Sequence, residues 1–234
     1  MVLVGIDEIT RVNFFVNGEQ SEYKFVNEGP NVPEDKQEQL LEQIRTRQDL
    51  KVLSIHGSNA KGQREDFYDS VLEICRERNI PVVLDISSPK LKTLLRYRPL
   101  LIKPNGEELV ECFGLSAENE AEVITAIRSL HTMGAQNVLL TLGKKGAYFS
   151  NGKGLYYCGT KQITQKSSAC AGDAFLAGFL SVWLQDQGNV EFALKRAAAA
   201  GANAAESDGL GDLAKVEEYE QQIQVKKIQM GGKE

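Results

Sequence analysis

The segment Cys170-Ala171-Gly172-Asp173-Ala174 stands directly before an apolar run, Phe175–Leu184, that reads as a helix. Small residues let backbone N–H groups approach a ligand closely, and a helix N-terminus adds unpaired donors and a favourable dipole. Such a turn can hold a phosphate or a developing negative charge. Asp173 falls in the first turn, where its carboxylate can take a hydroxyl proton while adjacent amides steady a transferring phosphoryl group. The same spacing also fits an acidic residue placed at a helix start for its dipole alone.

A second segment, Lys103-Pro104-Asn105-Gly106-Glu107-Glu108, follows the apolar strand Leu100–Ile102. Loops beyond the carboxyl ends of parallel strands are where open α/β sheets bind ligands. Asn105 and Glu108 stand three apart at a helix opening, so they can share a face and hold hydrated Mg²⁺, or can simply form a capping box. Thr141-Leu142-Gly143-Lys144-Lys145-Gly146 also follows a strand; its glycines suit a loop against a nucleotide or a tight strand connection. His56-Gly57-Ser58 ends another strand, where the Ser58 hydroxyl can meet a sugar or make a turn. Arg11 and Asn13 alternate on one face of the first expected strand, where Arg11 can grip a phosphate or lie solvated at an edge. His131 reads as a helix-surface residue and Trp183 as core.

The elements that carry these residues alternate along the chain. Arg11–Val16 and Glu22–Val26 read as a hairpin joined by a type I′ Asn17-Gly18 turn. A helix over Pro33–Arg47 follows. Strands at Lys51–Ile55, Pro81–Asp85, Leu100–Ile102 and Val138–Thr141 alternate with helices at Asp66–Arg78, Lys90–Tyr97, Glu107–Phe113 and Ala117–Met133. Short apolar runs between amphipathic helices indicate a parallel sheet covered on both faces. A second hairpin is expected between Gly146 and Thr164. Helices Ala171–Gln185 and Glu191–Glu206 come next, then a terminal helix, a strand over Ile223–Ile228 and a disordered-looking Gly231–Glu234. The expected fold is α/β, with a small β element at residues 1–30 and a core at 31–230.

The chain has 234 residues, 42% hydrophobic and 25% charged, which suits one large α/β domain with a small appendage. A formal net charge of -5 argues against a nucleic-acid partner. Cys75, Cys112, Cys158 and Cys170 show neither a C-x-x-C pair nor metal-type spacing, so reduced, mostly buried thiols are expected. No stretch approaches the roughly 20 apolar residues that span a bilayer, and a cytoplasmic protein with no membrane partner is expected.

Together these segments resemble the ribokinase-like, pfkB-type sugar kinases, nearest to the group with tagatose-6-phosphate kinase and 1-phosphofructokinase. The matching stretches are I-T-R-V-N at 9–13, H-G-S-N-A-K-G at 56–62, L-D at 84–85 and L-I-K-P-N-G-E-E-L at 101–109. They continue with T-L-G-K-K-G-A at 141–147, A-G-D-A at 171–174 and A-A-G-A-N-A at 199–204, in the family's order. The resemblance implies a three-layer fold and transfer of the γ-phosphate of ATP to a ketohexose phosphate, tagatose 6-phosphate ahead of fructose phosphates. It implies Asp173 as catalytic base, Cys170, Ala171 and Gly172 as the anion hole, and Asn105 and Glu108 as organisers of Mg²⁺ with Lys103 beside them. Thr141, Gly143 and Gly146 would lie on the nucleotide side, Asn203 beside the adenine, and Arg11, Asn13 and Ser58 at the sugar phosphate. The N-terminal hairpin would belong to a β lid that closes over the sugar and mediates a homodimer.

Cys170 departs from the family's usual glycine and His56 from its usual serine. The family's opening strand with a sugar-binding aspartate, and the glycine-rich sugar segment after it, have no match in this sequence. The chain is therefore expected to lack that N-terminal part. This leaves a second expectation beside the kinase: a nucleotide-binding but catalytically silent remnant that acts as an interaction or regulatory module.

Overall fold

In the computed structural model, residues 3–18 and 22–229 are described; Gly231–Glu234, read from sequence as a disordered tail, lie outside them. Two compact units divide the chain: Met1–Asn13 with Val26–Val138, and Phe14–Phe25 with Leu139–Glu234.

The first unit is built on apolar runs too short to be anything but strands. β3 (Leu53–Gly57), β4 (Val82–Ile86) and β5 (Leu101–Ile102) are neighbours in that order and parallel, and β5 pairs in parallel with Val138, the unit's last residue and the first of β6 (Val138–Thr141). The register sets Leu53 against Val82, Val83 against Leu101 and Ile102 against Val138. Val83, Leu84, Leu101 and Ile102 are fully buried, as a strand covered on both faces requires. Between the strands run α1 (Glu34–Thr46), α2 (Phe67–Glu77), α3 (Leu91–Leu94), a 3₁₀ turn at Leu95–Tyr97, α4 (Gly106–Phe113) and α5 (Glu120–Met133). Their apolar stripes are sealed, with Val71, Leu72 and Cys75 on α2 and Val123, Ala126, Ile127 and Leu130 on α5 all buried. α5 starts three residues later than its apolar pattern suggests. Asn119 accepts a hydrogen bond from the Glu122 amide and so caps the helix there. His131, expected on the helix surface, is half-buried, and its Nδ1 lies 2.8 Å from the Ala135 carbonyl just past the helix end.

In the second unit β6 is followed by β7 (Ala147–Ser150), β8 (Leu155–Cys158) and β9 (Val225–Ile228), the last three antiparallel neighbours in that order. The sheet is thus mixed. α6 (Ala171–Trp183) and α7 (Val190–Glu206) pack closely, and α8 (Val216–Glu220) lies against α7. A Cβ added at Gly178 would sit 3.0 Å from the Arg196 carbonyl, so glycine sets how near the two helices come. Trp183 is core, as expected: its ring lies 5.8 Å from Phe149 and 5.5 Å from Phe179, all three buried.

β1 (Phe14–Asn17) and β2 (Glu22–Phe25) form the expected N-terminal hairpin, with Phe14 opposite Phe25 and Val16 opposite Tyr23. Two details differ from the sequence reading. Asn17, expected in the turn, pairs with Glu22 as the last position of the ladder. Arg11 and Asn13 precede β1 instead of alternating along it, because pairing begins only at Phe14.

Candidate active site

The first unit gathers polar side chains at the carboxyl ends of its parallel strands. Asp85, in the last turn of pairing on β4, accepts an ion-paired hydrogen bond from Lys103, just beyond β5, at 2.9 Å. Both are almost fully buried, at 10% and 6% side-chain exposure. The second Asp85 oxygen lies 3.7 Å from His56 Nδ1, and His56 Nε2 lies 2.6 Å from Ser54 Oγ. A lysine ammonium and a carboxylate can leave water at this depth only because they satisfy each other. Lys103, expected beside the phosphates, therefore has its charge engaged by Asp85.

Asn105 and Glu108 realise the capping box. Asn105 Oδ1 accepts from the Glu108 amide at 2.8 Å, and Glu108 Oε2 accepts from the Asn105 amide at 3.0 Å. Ser87 Oγ donates to the other Glu108 oxygen at 2.5 Å. Glu108 is buried, so these bonds fix its carboxylate. Each carboxylate oxygen keeps a second lone pair, and with the amide oxygen of Asn105 they form a hard-oxygen donor set that suits hydrated Mg²⁺. Beside this group, Cys112 Sγ donates to the Ser88 carbonyl, and burial, reinforced by Glu108 and Glu111, pushes its thiol pKa up.

On the same unit Arg11 donates to Ser58 Oγ at 2.9 Å, so these two sequence candidates do come together. Asn13 instead accepts from the Asn27 amide at 3.3 Å, and Asn27 donates to the Val12 carbonyl. Asn13 is exposed and ties two chain segments at the root of the hairpin.

In the second unit, Cys170 caps α6 with φ 60 and ψ 0, the left-handed region that glycine occupies at no cost. The turn releases the chain into Ala171, Gly172 and Asp173, and Asp173 is exposed in the first helical turn. The first amides of α6 and the Asp173 carboxylate thus lie together at the head of the helix. Thr141 ends β6, and Gly143–Lys145 form a 3₁₀ turn closed by the Leu142 amide on the Gly146 carbonyl at 2.8 Å. Gly146 has φ +94, and a Cβ there would collide with the Cys158 carbonyl at 2.3 Å. The loop is thus a tight strand connection that requires glycine.

Asn203 is buried on α7 and does not point its amide into open space. It donates to Ser207 Oγ at 3.0 Å and accepts from the Lys215 amide at 3.2 Å, tying down the loop between α7 and α8. Hydrogen bonds from Lys215 and Tyr219 hold the Glu206 carboxyl below its ordinary pKa. Burial, opposed by the nearby Lys195 charge, pushes the Cys158 thiol up to about 12. All four cysteines are unpaired.

The sequence reading passed over Asp85 as a site residue. The available signal was an acidic residue ending an apolar strand, a place where burial demands a partner. Nothing in the sequence pattern named Lys103, 18 residues on, as that partner.

The pfkB family of carbohydrate kinases matches this sequence over residues 3–216, most of its length. The chain belongs to that family. A relative named D-tagatose-1-phosphate kinase, from Klebsiella oxytoca, is 44% identical over 94% of this chain and 72% of its own length. A second protein of that name, from Bacillus licheniformis, is 39% identical over 95% of this chain and 73% of its own. The solved phosphofructokinase-2 of Escherichia coli, in complex with substrates and products, superposes with a TM-score of 0.81 at 23% identity. It covers 90% of this chain and 70% of that one, and the likeness establishes the ribokinase-like fold. A pfkB chain is a sugar kinase, and among the described residues no helix is long and apolar enough to cross a membrane.

Proposed function

We propose that this protein transfers the γ-phosphoryl group of ATP to a ketohexose phosphate, giving the bisphosphate, with Asp173 as general base. The observation that carries the reading is the 44% identity, over 94% of the chain, to a relative named for tagatose 1-phosphate. That name moves the preferred substrate from tagatose 6-phosphate to tagatose 1-phosphate, ahead of the fructose phosphates. As the acceptor hydroxyl oxygen bonds to the γ-phosphorus, its proton passes to the Asp173 carboxylate. The bond from the γ-phosphorus to the β,γ-bridging oxygen breaks, and ADP leaves with that electron pair.

Cys170, Ala171 and Gly172 offer the transferring group backbone N–H donors at the head of α6. Asn105 and Glu108 would hold Mg²⁺ through its water shell, so that the ion neutralises charge on the phosphates. Lys103 acts one step back, by fixing Asp85 at the strand ends. Thr141, Gly143 and Gly146 serve the nucleotide, and Asn203 serves it indirectly through the loop it holds. Arg11 and Ser58 engage the substrate's existing phosphate and hydroxyls, with Asn13 supporting the segment. Cytoplasmic residence fits the use of ATP and four unpaired thiols.

The hairpin residues 14–25 serve as a lid and as the contact with a second copy of this chain. Phe14, Val16, Tyr23 and Phe25 form opposed pairs on one face and are each more than half exposed. Four apolar side chains in register are a surface that association would bury. Val16→Lys should leave a dimer sedimenting as a monomer.

ADP release from Mg-ATP should be measured across tagatose 1-phosphate, tagatose 6-phosphate, fructose 1-phosphate and fructose 6-phosphate. The reading expects the highest kcat/KM with tagatose 1-phosphate. ATP-induced stabilisation without release for any sugar would instead identify a silent nucleotide-binding module.

A further inference from the structure

Gln37, in the first turns of α1, is buried at 3% exposure although it is polar and no sequence motif singles it out. Its amide nitrogen donates to the Gly62 carbonyl at 2.8 Å and to the Val32 carbonyl at 2.9 Å. Its oxygen accepts from the Arg64 amide at 2.8 Å. One side chain therefore closes three backbone groups, two of them in the connection after β3 that carries Ser58. The same connection is held by the Val32 amide on the Lys61 carbonyl at 2.8 Å, and by Gln63, which accepts from the Ala60 amide at 3.1 Å. Gly62 turns at φ +73, where a Cβ would strike the Asn31 side chain at 2.2 Å. On its other side the connection meets Arg11 through Ser58 at 2.9 Å.

We infer that Gln37 is a positioning residue for the sugar-phosphate side of the reaction: it fixes the loop 57–64 so that Ser58 and Arg11 are presented in one geometry. This rests on the substrate role proposed for Ser58 and Arg11. A buried side chain that commits both amide donors and its oxygen to backbone groups, two of them in this loop, holds the chain in one conformation, because two unpaired carbonyls and an amide would be costly to leave behind. No other residue type supplies two donors and an acceptor at this reach: glutamate has no donors when ionised, and leucine has neither. The loop's conformation is therefore written into α1, outside the segment that meets the substrate.

The test compares the parent with Gln37→Leu and Gln37→Glu in two independent measurements. Hydrogen–deuterium exchange of the intact chain reads the loop directly. Residues 57–64 should exchange at least tenfold faster in both variants, while β4 and β5 keep the parent's protection. Unchanged protection of 57–64 would overturn the inference, and loss of protection throughout would show a general packing role instead, which also overturns it. The kinetic arm reads function. KM for tagatose 1-phosphate should rise about tenfold, with KM for ATP and kcat within about twofold, and in Gln37→Glu the rise should shrink at acid pH, where a protonated carboxyl regains one donor. Equal losses in kcat and in both KM values would contradict a positioning role. A parent inactive on every ketohexose phosphate would overturn the proposed reaction and the substrate half of this inference, while the exchange arm would still decide whether Gln37 holds the loop.

Discussion

The polar cluster at the strand ends of the first unit and the Cys170–Asp173 turn of the second position functional groups by opposite means. Asp85, Lys103 and Glu108 are buried or nearly so and Asn105 is half-buried, and each is fixed by side-chain bonds of 2.8–3.0 Å. Asp173 is exposed in the first turn of α6, and the left-handed Cys170 before it starts that helix. The first arrangement suits groups that must hold a fixed field for an ion or phosphate. The second suits a group that has to receive a proton and give it up again.

This difference predicts different responses to mutation. Asp173→Asn keeps shape and removes the proposed base, so kcat should fall on the order of 10³-fold while ATP affinity stays within severalfold and thermal stability is unchanged. Calorimetry with ATP beside the rate assay reads both. Lost nucleotide binding in this variant would remove the contrast.

Lys103→Met should act through stability, leaving Asp85 as an uncompensated buried charge at a cost of about 3–5 kcal/mol. Urea unfolding measures it, and adding Asp85→Leu to Lys103→Met should recover part of the loss. Glu108→Leu sharpens the same side: it strands the Asn105 amide and the Ser87 hydroxyl and removes half the capping box, for about 2–3 kcal/mol. Glu108→Gln, which can still accept, should cost less.

The smallest effect lies back on the turn. Cys170→Gly places at φ 60 the residue that tolerates it, and should stabilise the protein by about 1 kcal/mol with little change in turnover. A destabilised variant would mean that the thiol contributes contacts the backbone argument leaves out.

What was legible in the sequence follows the same division. The turn was readable because its signal is local: small residues and an acid before an apolar run, all within five positions. The strands and helices were readable because their apolar periods are short-range as well, and most boundaries fall within a few residues of the pattern. Hairpin register was not, since Asn17-Gly18 carries a turn signal that cross-strand pairing of Asn17 with Glu22 overrides. The Asp85–Lys103 pair, the Ser87 bond to Glu108 and the Gln37 bonds to Gly62 and Arg64 were hidden for one reason. Each joins residues 18 or more apart, and only the packed fold brings them together. Asn203, placed near the nucleotide by the family resemblance, has local bonds that the sequence did not signal, to Ser207 and the Lys215 amide.

The central claim is phosphoryl transfer to a ketohexose phosphate, and the product tests it most directly. Phosphorus NMR of the protein with Mg-ATP and tagatose 1-phosphate should show one ketohexose bisphosphate formed for each ADP, and none with Asp173→Asn. ADP accompanied by free phosphate and unchanged sugar phosphate, or no ADP from a protein that binds ATP, would contradict it.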